Sequence, residues 1–161
     1  MDSKRMQGIY VVEFAIIGLL VFVLLFGVLE MGRLLFTVNA LDEVVRRGAR
    51  LAAVCDIADT EILRKAVLNS DGGNSSPLIA NLTTDDLTLV YLNEDGAVVG
   101  NPGDLTGANG FLAIRYVQVR VDNFIFNLLI PGLGGNIALP VFRSTLPRES
   151  LGRSLEGDTE C

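Results

Sequence analysis

The sequence predicts an α+β fold in which one long N-terminal helix precedes a small antiparallel sheet. An apolar run, interrupted only by Glu13, covers residues 9–29, and no proline follows it before residue 77. Segments rich in β-branched residues and alternating in polarity lie between residues 87 and 121. The 161 residues leave room for one compact domain beside the helix.

The apolar run at residues 9–29 is long enough to cross a membrane. Twenty-one helical residues span about 31 Å, which matches the hydrocarbon core of a bilayer. A buried helix of a small domain is seldom apolar on every side. A secretory signal has a shorter apolar region and ends at a small-x-small site, which the following residues 30–33 do not provide. We therefore expect a single-pass membrane helix.

Glu13 is the unusual residue of this helix. An ionised carboxylate in hydrocarbon costs about 2.5–3.5 kcal/mol on insertion scales. Glu13 lies four residues after Ile9, roughly 6 Å along the helix, so one interpretation is that its side chain reaches the headgroups. The other is that a cation at the same depth pairs with it, such as a new amino terminus on Ile9 of this subunit or a neighbour.

The N-terminal residues resemble a known processing site. Lys4 and Arg5 precede the run Gly8-Ile9-Tyr10-Val11-Val12-Glu13-Phe14, which is similar to the cleavage site of type IV prepilins. The segments Glu30-Met31-Gly32-Arg33 and Arg46-Arg47-Gly48-Ala49-Arg50 extend the likeness. Over residues 4–55 the chain resembles TadE-like pseudopilins, which are minor pilins of the Tad (Flp) type IV pilus system.

This resemblance implies a pilin-like fold and a specific processing event. A prepilin peptidase would cut between Gly8 and Ile9, Glu13 would neutralise the new amine during docking, and Phe14 would be the aromatic that follows this Glu in the Tad branch. The new terminus would be N-methylated, although Ile9 replaces the Phe with which many mature type IV pilins begin.

The resemblance also implies location and partners. Residues 1–8 would be a leader, 9–29 the membrane helix, 30–146 an extracytoplasmic α+β domain and 147–161 a flexible tail. The protein would reside in the bacterial inner membrane, among its lipids, with the C-terminal domain in the periplasm. Its partners would be the peptidase and other Tad pilins or pseudopilins, contacted through the N-terminal helix. Incorporation into an adhesive surface pilus is a further step that this resemblance leaves open.

Beyond the membrane the helix is predicted to continue as an amphipathic segment to about residue 54. A second helix is expected at residues 60–69, capped by Asp59-Thr60. Strands are expected at residues 87–92, 97–99, 113–121 and 137–146, with Pro140 marking the last as an edge strand. Residues 124–133 are apolar without a clear period, and they fit either a core turn or a patch that touches the bilayer or a neighbour.

Composition argues against catalysis and against nucleic-acid binding. The chain has no His, which excludes His-based catalysis and most metal sites. Its formal net charge is −6, and its Lys and Arg residues form no basic patch of the kind that phosphates require. We expect no enzyme activity, no cofactor and no bound metal.

The two cysteines, Cys55 and Cys161, admit a disulfide in the oxidising cell envelope. Closing a loop of that length is worth about 4.7 kcal/mol in the chain-entropy model. A free, buried thiol at the end of the helical stripe is the other interpretation of Cys55.

Two other functions are compatible with this sequence. One is an uncleaved single-pass membrane protein whose outer domain is a binding or secretion-machinery module. The other is a tethered hydrolase that acts through carboxylates alone. The acids available to it are turn and loop residues, namely Asp85, Asp86, Glu94 and Asp95.

Overall fold

The computed structural model describes residues 3–57, 59–69, 73–129, 134–154 and 157–158. One helix, α1, runs from Ser3 to Val54 over 52 residues, and a short helix, α2, covers Glu61–Ala66. Seven strands follow: β1 Leu87–Leu92, β2 Tyr116–Val121, β3 Ile125–Asn127, β4 Asn136–Ala138, β5 Phe142–Pro147, β6 Arg153–Ser154 and β7 Gly157–Asp158. The predicted α+β class, with a long helix and small antiparallel sheets, is confirmed.

The main sheet has three antiparallel strands in the order β1-β2-β5. Leu87 pairs with Val121 and Leu92 with Tyr116 between the first two strands, and Tyr116 pairs with Pro147 across the other side. The central strand β2 shows the alternation expected from the sequence, because Val117, Val119 and Val121 are buried while Gln118 and Arg120 are partly exposed.

Four predicted elements differ from the observed ones. The strand expected at residues 97–99 is reduced to an isolated antiparallel bridge between Val98 and Leu92, and the strand expected at residues 113–121 begins only at Tyr116. The last strand is not continuous over residues 137–146 but is divided into β4 and β5, and Pro140 lies in the break. Helix α2 ends at Ala66 instead of Asn69, because Leu68 adopts a left-handed backbone with φ 63°. Asp59 does act at its start, where its carboxylate accepts the Glu61 N–H at 2.8 Å.

By its contacts the chain divides into two compact units, residues 1–36 with 126–137 and residues 37–125 with 138–161. In the second unit, the part of α1 after residue 36 lies against the sheet and α2. Its inward side chains are fully buried: Leu41, Val44, Val45, Ala49 and Ala52. A cluster with Ile62, Tyr91, Ile114, Val117 and Leu151 completes this core.

The predicted flexible tail begins at Pro147, yet Pro147 closes β5 and Leu151 and Gly152 are buried. Leu151 is only 1% exposed and belongs to the core cluster. The Arg148 N–H donates to the Arg115 carbonyl at 2.9 Å. The end of the chain, residues 159–161, lies outside the described residues.

Candidate functional site

Gly8, Ile9, Glu13 and Phe14, the predicted processing residues, all lie in the first part of helix α1. Ile9 and Glu13 are four positions apart and so share one face of the helix. They line a shallow apolar groove on that face, together with Gly8, Val12, Ile16 and Ile17. The predicted pairing of Glu13 with an amine on Ile9 requires both residues on one face of the helix, and this arrangement is compatible with it.

The groove belongs to a helix surface that is exposed on every side. Each large apolar side chain from Ile9 to Leu29 is between 46% and 78% exposed. One helix in the described part of the chain is long and apolar enough to cross a membrane, and its most apolar window has a mean hydropathy of 2.8 with none of it buried. A core helix of a water-soluble domain would be mostly buried, so the protein interior does not explain this apolar run.

Glu30 and Arg33 form an ion pair where this apolar run ends. An Arg33 Nη1 lies 2.6 Å from the Glu30 carboxylate, and Glu30 is only 8% exposed. Glu30 is shielded from solvent by the other segment of the first compact unit, residues 126–137. The Leu129 N–H lies 3.4 Å from the other Glu30 carboxylate oxygen, and the Arg33 guanidinium carbon lies 5.0 Å from the Phe126 ring centre.

In the second unit, the amphipathic part of α1 uses a glycine to approach its neighbours. A Cβ built on Gly48 would lie 3.1 Å from the Ala66 Cβ and 3.2 Å from a Val119 methyl. The helix therefore contacts both α2 and β2 at this point without a side chain between them. The amphipathic part of α1 therefore packs closely against the protein's own sheet and second helix.

Cys55 follows the end of α1 and is fully buried. It is disulfide-bonded in the structure. Its predicted partner, Cys161, lies outside the described residues, so the pairing with that residue stays a prediction.

The acidic residues considered for a tethered hydrolase do not converge. Asp85 and Asp86 precede β1, whereas Glu94 and Asp95 follow it, so a six-residue strand of roughly 20 Å separates the two pairs. Asp86 is engaged in a turn, where its carboxylate accepts the Thr83 N–H at 2.8 Å and the Thr83 hydroxyl at 3.0 Å. Absence of enzyme activity stays a prediction.

One small cavity of the second unit combines polar and apolar walls. Its volume is about 220 Å³, and its lining residues are Asp56, Ile57, Gly103, Leu105, Phe111, Leu151 and Arg153. Near it, the Tyr91 hydroxyl is buried and has no hydrogen-bond partner among the residues described. Burial, reinforced by the negative charge of Asp56, raises the pKa of Tyr91 to about 12.

Comparison with known proteins supports the resemblance of the N-terminal region to TadE-like proteins. A family model described as "TadE-like protein" matches residues 8–50, which include the groove, the Glu30–Arg33 pair and Gly48. No curated protein and no solved structure matches the chain. The resemblance to TadE-like proteins is thus confirmed over residues 8–50.

Proposed function

We propose, from the TadE-like match over residues 8–50, that this Tad pilus-associated protein is a pseudopilin, or minor pilin, processed after Gly8. The observation that carries the proposal is Glu13, which lies within that match, four residues after Ile9 on the face of an exposed apolar helix. Cleavage between Gly8 and Ile9 creates an amine near this carboxylate. The amine then offsets the cost of a negative charge in hydrocarbon.

In this proposal the N-terminal helix has two roles, one before processing and one after it. It anchors the precursor in the inner membrane, with residues 30–161 outside the cytoplasm. After processing, its exposed apolar surface packs against the helices of other Tad pilins or pseudopilins. The carboxylate of one subunit then neutralises the amine of its own or the adjacent chain, because two opposite charges attract strongly where water is excluded.

Substitution of Gly8 tests the processing step. A Cβ at Gly8 meets nothing within 4 Å, so Gly8→Leu leaves the fold of the chain intact and alters only what the peptidase encounters. Gly18→Leu is the matched control, because Gly18 lies in the same helix and is equally open. We expect the Gly8→Leu protein to accumulate with its first eight residues and the Gly18→Leu protein to be shortened normally.

The outcome also separates this proposal from its main alternative. Normal maturation of Gly8→Leu would contradict cleavage after Gly8. If the wild-type protein in its host also keeps residues 1–8, the chain is an uncleaved membrane protein, and its outer domain is then a binding or secretion-machinery module.

A further inference from the structure

The segment that covers Glu30 is an uncharged hairpin. Strands β3 and β4 pair with each other, and the Leu128 N–H donates to the Gly135 carbonyl at 3.0 Å. No Asp, Glu, Lys or Arg occurs between residues 123 and 142. We call the described residues 126–129 and 134–137 the apolar hairpin.

The apolar hairpin lies against the two charged residues at the end of the apolar run and buries one of them, Glu30. Glu30 and Arg33 are the only charged residues between Glu13 and Asp42, and they neutralise each other at 2.6 Å. The Leu129 N–H and the Phe126 ring lie directly against them. Glu30 is thereby 8% exposed, whereas Arg33 keeps 39% of its side chain exposed.

The helix surface stays apolar on both sides of this ion pair. Met31, Leu35 and Phe36 each expose more than half of their surface. From Ile9 to Phe36 the helix has 28 residues, or about 42 Å, which exceeds the hydrocarbon thickness of about 30 Å. The outer turns of this run therefore reach the headgroup layer, where the apolar hairpin lies against them.

The hairpin itself turns apolar side chains outward. Phe126 is 4% exposed, whereas Leu129 is 67% and Ile137 is 37% exposed. Leu129 lies against Glu30 of the membrane helix, so its exposed side chain adds to the large apolar surface of that helix, and apolar patches of that size mark interaction sites. Because this surface continues the exposed face of the membrane helix at the level of Glu30, the occupant nearest to it is lipid.

We infer that the apolar hairpin is a second membrane contact, which inserts Leu129 and Ile137 into the interfacial layer of the bilayer beside the outer end of α1. The inference rests on the proposed function insofar as α1 must span the membrane. It fixes the depth of the helix, since the hairpin and the ion pair it covers must both lie at the lipid boundary. The alternative occupant, a second copy of this chain, is separated by the experiment below.

The chain contains no Trp, so a single introduced indole reports its own surroundings. We would reconstitute full-length Leu129→Trp and Ile137→Trp proteins in phosphatidylethanolamine–phosphatidylglycerol vesicles that contain lipids brominated just below the headgroups. Leu78→Trp, at a similarly exposed position of the second unit, controls for the intrinsic affinity of Trp for interfaces. Leu20→Trp in the membrane helix, with bromines near the acyl ends, reports whether the anchor spans.

Interfacial segments insert about 5–10 Å into the headgroup and acyl boundary. We therefore expect the brominated lipids to quench Trp fluorescence about threefold more strongly at positions 129 and 137 than at position 78. Equal quenching at 129 and 78 would overturn the inference. Weak quenching at position 129 would also overturn the inference. If the Trp emission were then blue-shifted and the blue shift disappeared when the protein was diluted with more lipid, the surface would be a contact with a second copy of the chain. Quenching at position 20 without quenching at 129 refutes the hairpin contact alone, whereas absence of both refutes the membrane anchor as well.

Discussion

Gly152 donates its backbone N–H to the carbonyl oxygen of Val54, the last residue of α1, at 2.6 Å. Next to it, the Leu151 N–H donates to the Ala53 carbonyl at 3.1 Å and the Ser150 hydroxyl to the Val54 carbonyl at 3.1 Å. The last carbonyl groups of a helix have no partner within it. Here they are satisfied by a segment almost one hundred residues further along the chain, so the end of α1 and the end of the domain fold together.

Substitution of Gly152 should weaken the attachment of this segment to the end of α1 and destabilise the protein. Gly152 has φ +77°, and a Cβ there would lie 2.5 Å from the Asp56 Cα. Both the left-handed backbone and the clash oppose any side chain, so Gly152→Ala should lower the free energy of unfolding by about 3 kcal/mol or more. The measurement is thermal and denaturant unfolding of the full chain in detergent micelles, followed by circular dichroism.

Gly96 is the matched control, with φ +78° and nothing within 4 Å of a built Cβ. Gly96→Ala introduces the backbone strain without the clash, so it should lower the free energy of unfolding by about 1 kcal/mol. Equal effects of the two substitutions would mean that the contact with Asp56 does not hold the end of α1.

Gly48 should tolerate no large side chain. A side chain there must enter the space taken by Ala66 and Val119, so Gly48→Leu should destabilise the protein by about 3 kcal/mol, the upper part of the range for overpacked cores. Gly32→Leu, in the same helix and with open space around it, should change stability little. A Gly48→Leu protein as stable as wild type would contradict the close approach of α1 to α2 and β2.

Tyr91→Phe should stabilise the protein and alter its response to alkali. The buried hydroxyl has no hydrogen-bond partner among the described residues, so its removal should add about 1 kcal/mol at neutral pH. The folded pKa of about 12 lies above the ordinary value of 10.0. The stability linked to the neutral phenol is therefore complete below pH 10, and it is lost as the pH rises through 10 towards 12.

The check is a comparison of wild-type and Tyr91→Phe unfolding between pH 8 and pH 12, because the other Tyr, Lys and Arg residues are common to both. A difference of one in pKa between the folded and unfolded states corresponds to about 1.4 kcal/mol. The free energy of unfolding of the wild type should therefore fall by about 2–3 kcal/mol more than that of the variant. Parallel curves for the two proteins would show that Tyr91 is not desolvated in the folded state.

Glu13→Gln should impair assembly while leaving the protein in the membrane. The substitution keeps the shape of the side chain and removes the charge that faces the new amine. A hydrogen bond to a charged group is worth about 1.5–3 kcal/mol, so incorporation into pilus fractions should fall at least about tenfold. Glu43→Gln, at an exposed position farther along the same helix, is the isosteric control. Normal incorporation of Glu13→Gln would contradict the neutralising role of the carboxylate.

The sequence alone predicts the local elements well and the distant contacts poorly. The period of the apolar residues identifies α1, and the alternation of Val117, Val119 and Val121 identifies β2, because both patterns depend only on neighbours in the chain. The packing of residues 148–152 against the end of α1 has no local signal. Leu151 and Gly152 resemble ordinary turn residues until the structure brings them to Ala53 and Val54.

The same distinction applies to the candidate site. Gly8, Ile9, Glu13 and Phe14 are found from a short motif, whereas the contact of Glu30 with Leu129 joins residues 99 positions apart. Two signals could have indicated it. One is the pair of charges three residues apart at the end of the apolar run, and the other is the uncharged stretch between residues 123 and 142.

The intact mass of the protein isolated from the membranes of its host tests the central claim most directly. The predicted result is the mass of a chain whose first residue is Ile9, with or without one added methyl group. Only cleavage before Ile9 supplies an amine four residues from Glu13. A mass that still includes Met1 to Gly8 in the mature, assembled protein would contradict the account.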